Sequence, residues 1–274
     1  MTPEEQQVAR LFDELSPTYD QVGVDFFVPM ARRLVALLAP RPGESAVDLG
    51  CGRGAVTFAL AEAVGAAGKV VAGDLSPAMV RATRGLAEDL PQVEVIELNA
   101  AHPPIARASA DIVASAAVIF FLSDPAAALS RWVELLVPDG RLGFTTFGQQ
   151  DETWSAVDRL FDAHVPADML DARAAGRRGP FASREGVDQL ARDAGAVAVT
   201  TLVEPIELVL DDVEAWRQWT MSVGQRRMWS LVPDHSRPQL LSDASGLLED
   251  AVEADGRLHL RQDVRYTIAR APAA

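Results

Sequence analysis

Between Ala46 and Phe147 the chain alternates short apolar runs with helix-like segments, and that alternation limits its fold more than any other feature. Ala46 to Leu49 reads as a strand, and Ala55 to Val64 as a helix apolar nearly all round. Lys69 to Gly73 is a second strand feeding Asp74. Ser76 and Pro77 then open a helix, as its cap and first residue, that reaches about Leu90. Val93 to Leu98 is a third strand. Asp111 to Val118 is a fourth, and its unbroken apolar character suits burial on both faces. Asp124-Pro125 opens another helix ending at Val137, and Pro138-Asp139-Gly140 turns the chain into a fifth strand, Arg141 to Phe147. Five strands separated by helices predict right-handed crossovers and a parallel sheet with helices on both faces. A ligand then belongs beyond the carboxyl ends of the strands.

The first strand runs into VDLGCGRG, where Gly50, Gly52 and Gly54 let backbone approach a ligand closely. Gly50-x-Gly52-x-x-Ala55 fits the degenerate dinucleotide fingerprint, and the neighbouring residues decide the ligand. Asp48 precedes the first glycine by two positions, so its carboxylate is expected in the crevice. A pyrophosphate on a helix N-terminus is disfavoured by such a carboxylate, whereas an α-ammonium group is favoured. The reading is therefore an amino-acid-bearing nucleoside rather than NAD or FAD, with loss of binding expected for Asp48→Ala. Asp74 ends the second strand, where an acidic side chain accepts from ribose hydroxyls. Leu75 and Met79 flank it, apolar enough to sandwich adenine. Asp74 as a helix cap and Met79 as helix core are the competing readings.

Outside this core the pattern changes. Thr2, Pro3 and Glu5 form a capping box that opens a first helix, and Phe26 to Leu38 is a second. After Phe147, Asp151 to Val165 and the stretch from Ser183 to Gly195 read as helices. Ala196 to Leu210 and Leu258 to Ala269 are β-rich. The segment between them is helical, with Val213, Trp216, Thr220 and Val223 on one face. The expected division is a helical cap at 1–45, an α/β core at 46–148, lid helices at 149–195, and a terminal β-rich part at 196–274 with a helical insert at 211–256.

The segments VDLGCGRG, VVAGDLSPAMV, ELNAAHPPIARASADIV and WVELLVPDGRLGF, in that order, resemble the class I S-adenosylmethionine-dependent methyltransferases. RLFDELSPTYDQV is similar to the N-terminal cap of their small-molecule branch, which includes the quinone-ring methyltransferases. The resemblance implies a Rossmann-like doubly wound, mostly parallel seven-stranded sheet with an antiparallel terminal hairpin, together with a lid over the acceptor. It implies S-adenosyl-L-methionine as cofactor: Asp48, Gly50 and Gly52 at the methionine portion, Asp74 at the ribose, Leu75 and Met79 on adenine, Asn99 and Ala100 at its edge. Ser115 would lie near the methionine moiety and Tyr19 would reach its carboxylate from the cap. Two positions depart from the family: Asn99 stands where aspartate is usual, and Ala110 where an aromatic is common. Asparagine still accepts through its carbonyl oxygen.

Methyl transfer is an in-line displacement that asks the protein mainly to position the acceptor and exclude water. His164 is the candidate base, near the apolar face after Trp154, Val157 and Phe161. A histidine idling at a helix C-terminus is the alternative. Phe120, Phe121, Trp154 and Trp216 are candidate pocket residues, with core packing as the competing explanation. No metal-ligand spacing stands out.

A net charge of −14 with only isolated basic pairs (Arg32-Arg33, Arg177-Arg178, Arg226-Arg227) argues against nucleic acid. No apolar run is long enough for a membrane span. The single cysteine, Cys51, and an acidic helix-like N-terminus fit a cytoplasmic protein. Nearly all positive charge is arginine, the mark of a high-GC genome and, with it, of a specialised-metabolite acceptor. The leading expectation is a methyltransferase for an oxygen or carbon of a small, largely apolar molecule. Two alternatives stand beside it: an S-adenosylmethionine-binding enzyme catalysing a non-methylating cyclisation or rearrangement, and a nicotinamide oxidoreductase.

Overall fold

The computed structural model describes residues 1–22, 24, 26–165 and 179–273. Its frame is one seven-stranded sheet in the order β3-β2-β1-β4-β5-β7-β6. The first strands are β1 (Ser45–Leu49), β2 (Lys69–Asp74), β3 (Val93–Glu97) and β4 (Ala110–Ala116). They are parallel to one another and to β5 (Leu136–Gln150). β7 (Leu258–Arg270) lies antiparallel between β5 and β6 (Val197–Leu210). The strand order reverses between β1 and β4, and the carboxyl ends of those two strands frame the crevice in which open α/β sheets bind ligands.

Helices cover both faces because each carries an apolar stripe. Helix α1 is Pro3–Leu15, α2 Phe27–Leu38, α3 Ala55–Val64, α4 Pro77–Leu86, α5 Pro125–Leu135 and α6 Glu152–Arg159. On one face Met30, Leu34 and Leu38 of α2 pack with Val56, Leu60 and Val64 of α3 against Ala46, Ile112 and Tyr266. On the other, Leu129, Trp132 and Val133 of α5 pack with Val187 and Leu190 against Val47, Val113 and Phe144. Side-chain caps fix several helix starts: Thr2 and Glu5 bond reciprocally, and Ser76, Asp124 and Asp151 each accept a backbone N–H from the first turn.

The fifth strand differs from its expected extent. It begins at Leu136, directly after α5, and pairs Ala110 with Leu136 before a register shift brings Ile112 opposite Arg141. Pro138-Asp139-Gly140 is thus an irregularity within the strand, with Asp139 at φ 61°, rather than a turn ahead of it. Helix α6 also stops early, at Arg159. Phe161 and Val165 continue its buried face through turns, so His164 lies beyond the helix. Three helices, Val213–Ser222, Arg226–Leu231 and Arg237–Leu248, fill the connection between β6 and β7. They close over a second core of Phe26, Trp154, Phe161, Trp216, Trp219 and Trp229.

Trp132 ties this frame to the crevice. Its ring is fully buried, and its indole N–H donates to the carbonyl of Ala100, 2.7 Å away, on the loop after β3. Trp132→Phe removes the donor, leaves the carbonyl unpaired and opens a small void. Urea denaturation should show a loss of about 2–4 kcal/mol, and an unchanged midpoint would show that the bond contributes nothing.

Candidate active site

A cleft opens at the carboxyl ends of β1, β2, β3 and β4, the place where open α/β sheets bind ligands. Each strand contributes residues at or just after its end: Gly50 and Gly52 after β1, Asp74 and Leu75 at β2, Leu98 to Ala101 after β3, and Ala116 to Val118 with Phe121 to Ser123 at β4. Helix α1 lies along the opening with Thr2, Glu4, Glu5, Val8 and Phe12, and Tyr19 follows it.

The turn after β1 is held from three sides. The N–H groups of Gly50 and Cys51 both donate to the carbonyl of Gly73, at 2.8 and 3.0 Å. The Gly52 N–H donates to Asp74 Oδ2 at 2.9 Å, and the Gly52 carbonyl accepts from Thr83 at 2.6 Å. Gly50 is needed on steric grounds, since a Cβ there would sit 2.3 Å from Val118 Cγ2 at φ +79°. Gly52, at φ +51°, has open space where a Cβ would point, so its backbone is bare toward the cleft.

Asp74 is half-buried. Its Oδ1 accepts from the Ser76 N–H at 2.9 Å, and burial raises its pKa against the bonds that favour the charged form. Tyr19 stacks on Phe27 at 5.1 Å; burial, then Asp20 and Asp74, pushes its phenol far above the ordinary range and keeps the hydroxyl a donor. The cleft lining therefore carries three carboxyl groups, Glu4, Glu5 and Asp74, and no lysine, arginine or histidine among the described residues.

Residues 47–144 match the methyltransferase domain family. The nocamycin O-methyltransferase of Saccharothrix syringae is 37% identical over 95% of this chain and 97% of its own. The chain belongs to the S-adenosylmethionine-dependent methyltransferases. The aklanonic acid methyltransferase DauC of Streptomyces sp. (strain C5) is 36% identical over 61% of this chain and 76% of its own. Among solved structures the cyclase SpnF superposes with a TM-score of 0.59 at 17% identity, covering 100% of this chain and 98% of its own, a likeness of fold alone.

S-adenosylmethionine is the cofactor of this family, and the methyltransferase's cleft fits it. The bare backbone at Gly52 accommodates close approach, the strand-end carboxylate of Asp74 is in place, and the described lining holds no cationic side chain to oppose a sulfonium. Of the residues singled out in the sequence, Tyr19, Gly50, Gly52, Asp74, Leu75, Asn99, Ala100 and Phe121 line the cleft. Asp48, Met79 and Ser115 do not. Met79 is a fully buried residue of α4 itself, and Ser115 donates to the Leu49 carbonyl at 2.7 Å.

Asp48 lies beneath the glycine turn instead of facing the crevice. Its side chain is fully buried; Oδ2 accepts from Thr57 at 2.6 Å and Oδ1 has no hydrogen-bond partner. Trp154 and Trp216 are interior members of the aromatic core, packed edge-on against Trp219 and Trp229. Phe120 rests against Phe147 and Phe121 behind the cleft wall. His164 is half-buried and outside the lining, and the pair Arg177-Arg178 lies outside the described residues.

The capping box and the likeness of RLFDELSPTYDQV to the family's cap mark α1 in the sequence, but neither singles out Val8 and Phe12, four residues apart, which line the cleft. Asp13 docks that helix by accepting from the Ser76 hydroxyl at 2.6 Å and the Ala78 N–H at 2.9 Å, both at the start of α4. Away from the cleft, Glu207, Glu253 and His259 come together without a sequence motif. Arg261 pairs with both glutamates and His259 bonds Asp255, so the charges there are already matched.

Burial, only partly offset by Thr57 and reinforced by Asp74, raises the Asp48 pKa from 3.8 to about 7. A raised carboxyl pKa stabilises the fold fully below the unfolded value near 3.8, and this contribution is lost as pH climbs through about 7. Ionising the buried group costs on the order of 4 kcal/mol. Asp48→Asn removes the titration while keeping an acceptor for Thr57. The melting temperature of the ligand-free variant relative to wild type should therefore rise between pH 5 and pH 8. A difference constant across that range would show that Asp48 does not titrate there.

Proposed function

We propose that this methyltransferase acts on an oxygen or carbon of a small, largely apolar specialised metabolite. The observation that carries the cofactor half of this reading is the cleft lining itself, acidic and without cationic side chains among its described residues. Such a wall stabilises a positively charged cofactor and offers nothing to neutralise a pyrophosphate, which sets the nicotinamide alternative aside. The acceptor half rests on the relatives, which are named for the small molecules nocamycin and aklanonic acid. The first of them is named for transfer to oxygen.

The cofactor brings an activated methyl group, so the chain's own residues position and exclude. Backbone at Gly50 and Gly52 and the Tyr19 hydroxyl hold the methionine end; Asp74 holds the ribose, and Leu75 and Leu98 pack on the base. Asn99 and Ala100 meet the base edge. Asp48 acts through the turn it supports, and Met79 and Ser115 act from beneath by fixing the β2 and β4 ends. Phe12, Phe121 and Val118 form the apolar side of the cleft toward which an acceptor would come, excluding water from the transfer. Phe121 is exposed at 41% and marks that entrance.

We assign no base to His164. The described elements after β5, within 151–165 and 179–195, and the helices within 211–256 are read as the cover over the acceptor side. No helix among the described residues is long and apolar enough to cross a membrane. A cytoplasmic setting fits the unpaired Cys51, and the net charge of −14 favours a small-molecule partner over nucleic acid.

Calorimetric titration with S-adenosylmethionine, S-adenosylhomocysteine and NADH tests this directly. Both adenosyl ligands should bind and NADH should not; binding of NADH alone would overturn the reading. Product mass separates methyl transfer from cyclisation, since only the former adds a methyl group to the acceptor.

A further inference from the structure

The base end of the cleft holds a pair of side chains whose hydrogen bonds leave one role open. Asn99, after β3, uses both halves of its amide: Oδ1 accepts from the Ala101 N–H at 2.9 Å, and Nδ2 donates to Glu5 Oε1 at 2.7 Å. Glu5 reaches this point from α1, ninety-four residues earlier in the chain. Its other oxygen, Oε2, accepts from the Thr2 N–H at 2.8 Å. The bond from Asn99, followed by that from Thr2, holds the Glu5 carboxyl below the usual range, so it is ionised at neutral pH. Oε2 also faces the Met1 ammonium at 3.9 Å, whereas Oε1 has Asn99 as its one donor among the described residues and keeps capacity for a second, on a side chain that lines the cleft.

A ribose at Asp74, with the methionine end on the turn after β1, directs the base toward Leu75 and Leu98 to Ala101. Adenine then brings an exocyclic amino group with two N–H donors into a largely apolar slot. Donors left without acceptors there cost affinity, and a site built around them rejects analogues that lack them. The polar side chains on this wall are Thr2, Glu4, Glu5 and Asn99, and of these Glu5 is the carboxylate fixed in place from two sides. Asparagine at 99 is what permits the arrangement. Its amide donates to Glu5, whereas an aspartate would set two carboxylates against each other at hydrogen-bond distance.

We propose that Glu5, carried over the cleft on α1 and oriented by Asn99, is the acceptor for the exocyclic amino group of the cofactor's adenine. The proposal rests on the S-adenosylmethionine reading and assigns purine selectivity to the N-terminal helix. It makes Glu5 a binding residue and Asn99 a positioning residue.

The test is calorimetry of wild type, Glu5→Gln and Thr2→Ala with two ligands, S-adenosylhomocysteine and S-inosylhomocysteine, in which a carbonyl replaces the amino group. Wild type should bind the adenosyl ligand and discriminate against the inosyl one. Glu5→Gln should weaken the adenosyl ligand about 10- to 100-fold and narrow the discrimination, because glutamine can donate to the carbonyl. Thr2→Ala weakens the cap of α1 but keeps Glu5, so it should affect both ligands alike. Equal weakening of both ligands by Glu5→Gln, with discrimination intact, would make Glu5 only a strut of the helix and overturn the proposal. Failure of wild type to bind the adenosyl ligand would overturn the cofactor reading as well, and the wild-type titration alone reveals it.

Discussion

The path of the backbone as it leaves β1 sets the geometry of the whole cleft. Three residues there have positive φ, and the turn they make closes on Gly73 and Asp74 of the neighbouring strand through backbone N–H groups. Those bonds place Asp74 at the crevice and leave Gly52 bare beside it. A Cβ at Gly50 would collide with the Val118 side chain just beyond β4, at a φ that L side chains rarely adopt. One added methyl group there would therefore displace the turn or Val118, so side-chain chemistry in the cleft depends on a position that has none.

Acid concentrates around this turn. Asp48 precedes it on β1, Asp74 accepts from its Gly52 N–H at the end of β2, and Glu4 and Glu5 line the same cleft from α1. Burial raises the cost of ionising Asp48 and Asp74, and Asp74 adds to that cost at Asp48. A cationic ligand offsets part of that cost by favouring the ionised carboxylates.

Much of this was legible from sequence, and the parts that were not share a physical cause. Strand ends could be read because glycine, aspartate and a capping serine each answer a local backbone demand at Gly50, Asp74 and Ser76. Asp48 was placed at the right strand end but aimed wrongly: alternation along β1 gives the face of a side chain, and the depth of the turn above it depends on Thr57, nine residues on. Trp154 and Trp216 show a second limit. An apolar helical face looks the same whether it meets a ligand or another tryptophan, and here it meets Phe26, Trp219 and Trp229. The helix expected to carry His164 ran too long on paper because Phe161 and Val165 keep its buried periodicity after the helix has ended. The pairing of Glu5 with Asn99 joins two distant segments, and neither residue signals it alone.

The position of β7 has a consequence for how the molecule is made. This strand is synthesised after the other six strands of the sheet, yet it is an interior strand, flanked by β5 on one side and β6 on the other. Until Leu258–Arg270 has left the ribosome, β5 has an unpaired edge and β6, the outermost strand, has no neighbour at all. A nascent chain arrested before that point carries two open strand edges and an incomplete aromatic core, the features that promote association between chains. This thirteen-residue strand, the seventh of the sheet in chain order, acts as a keystone, and the sheet closes only once it is released.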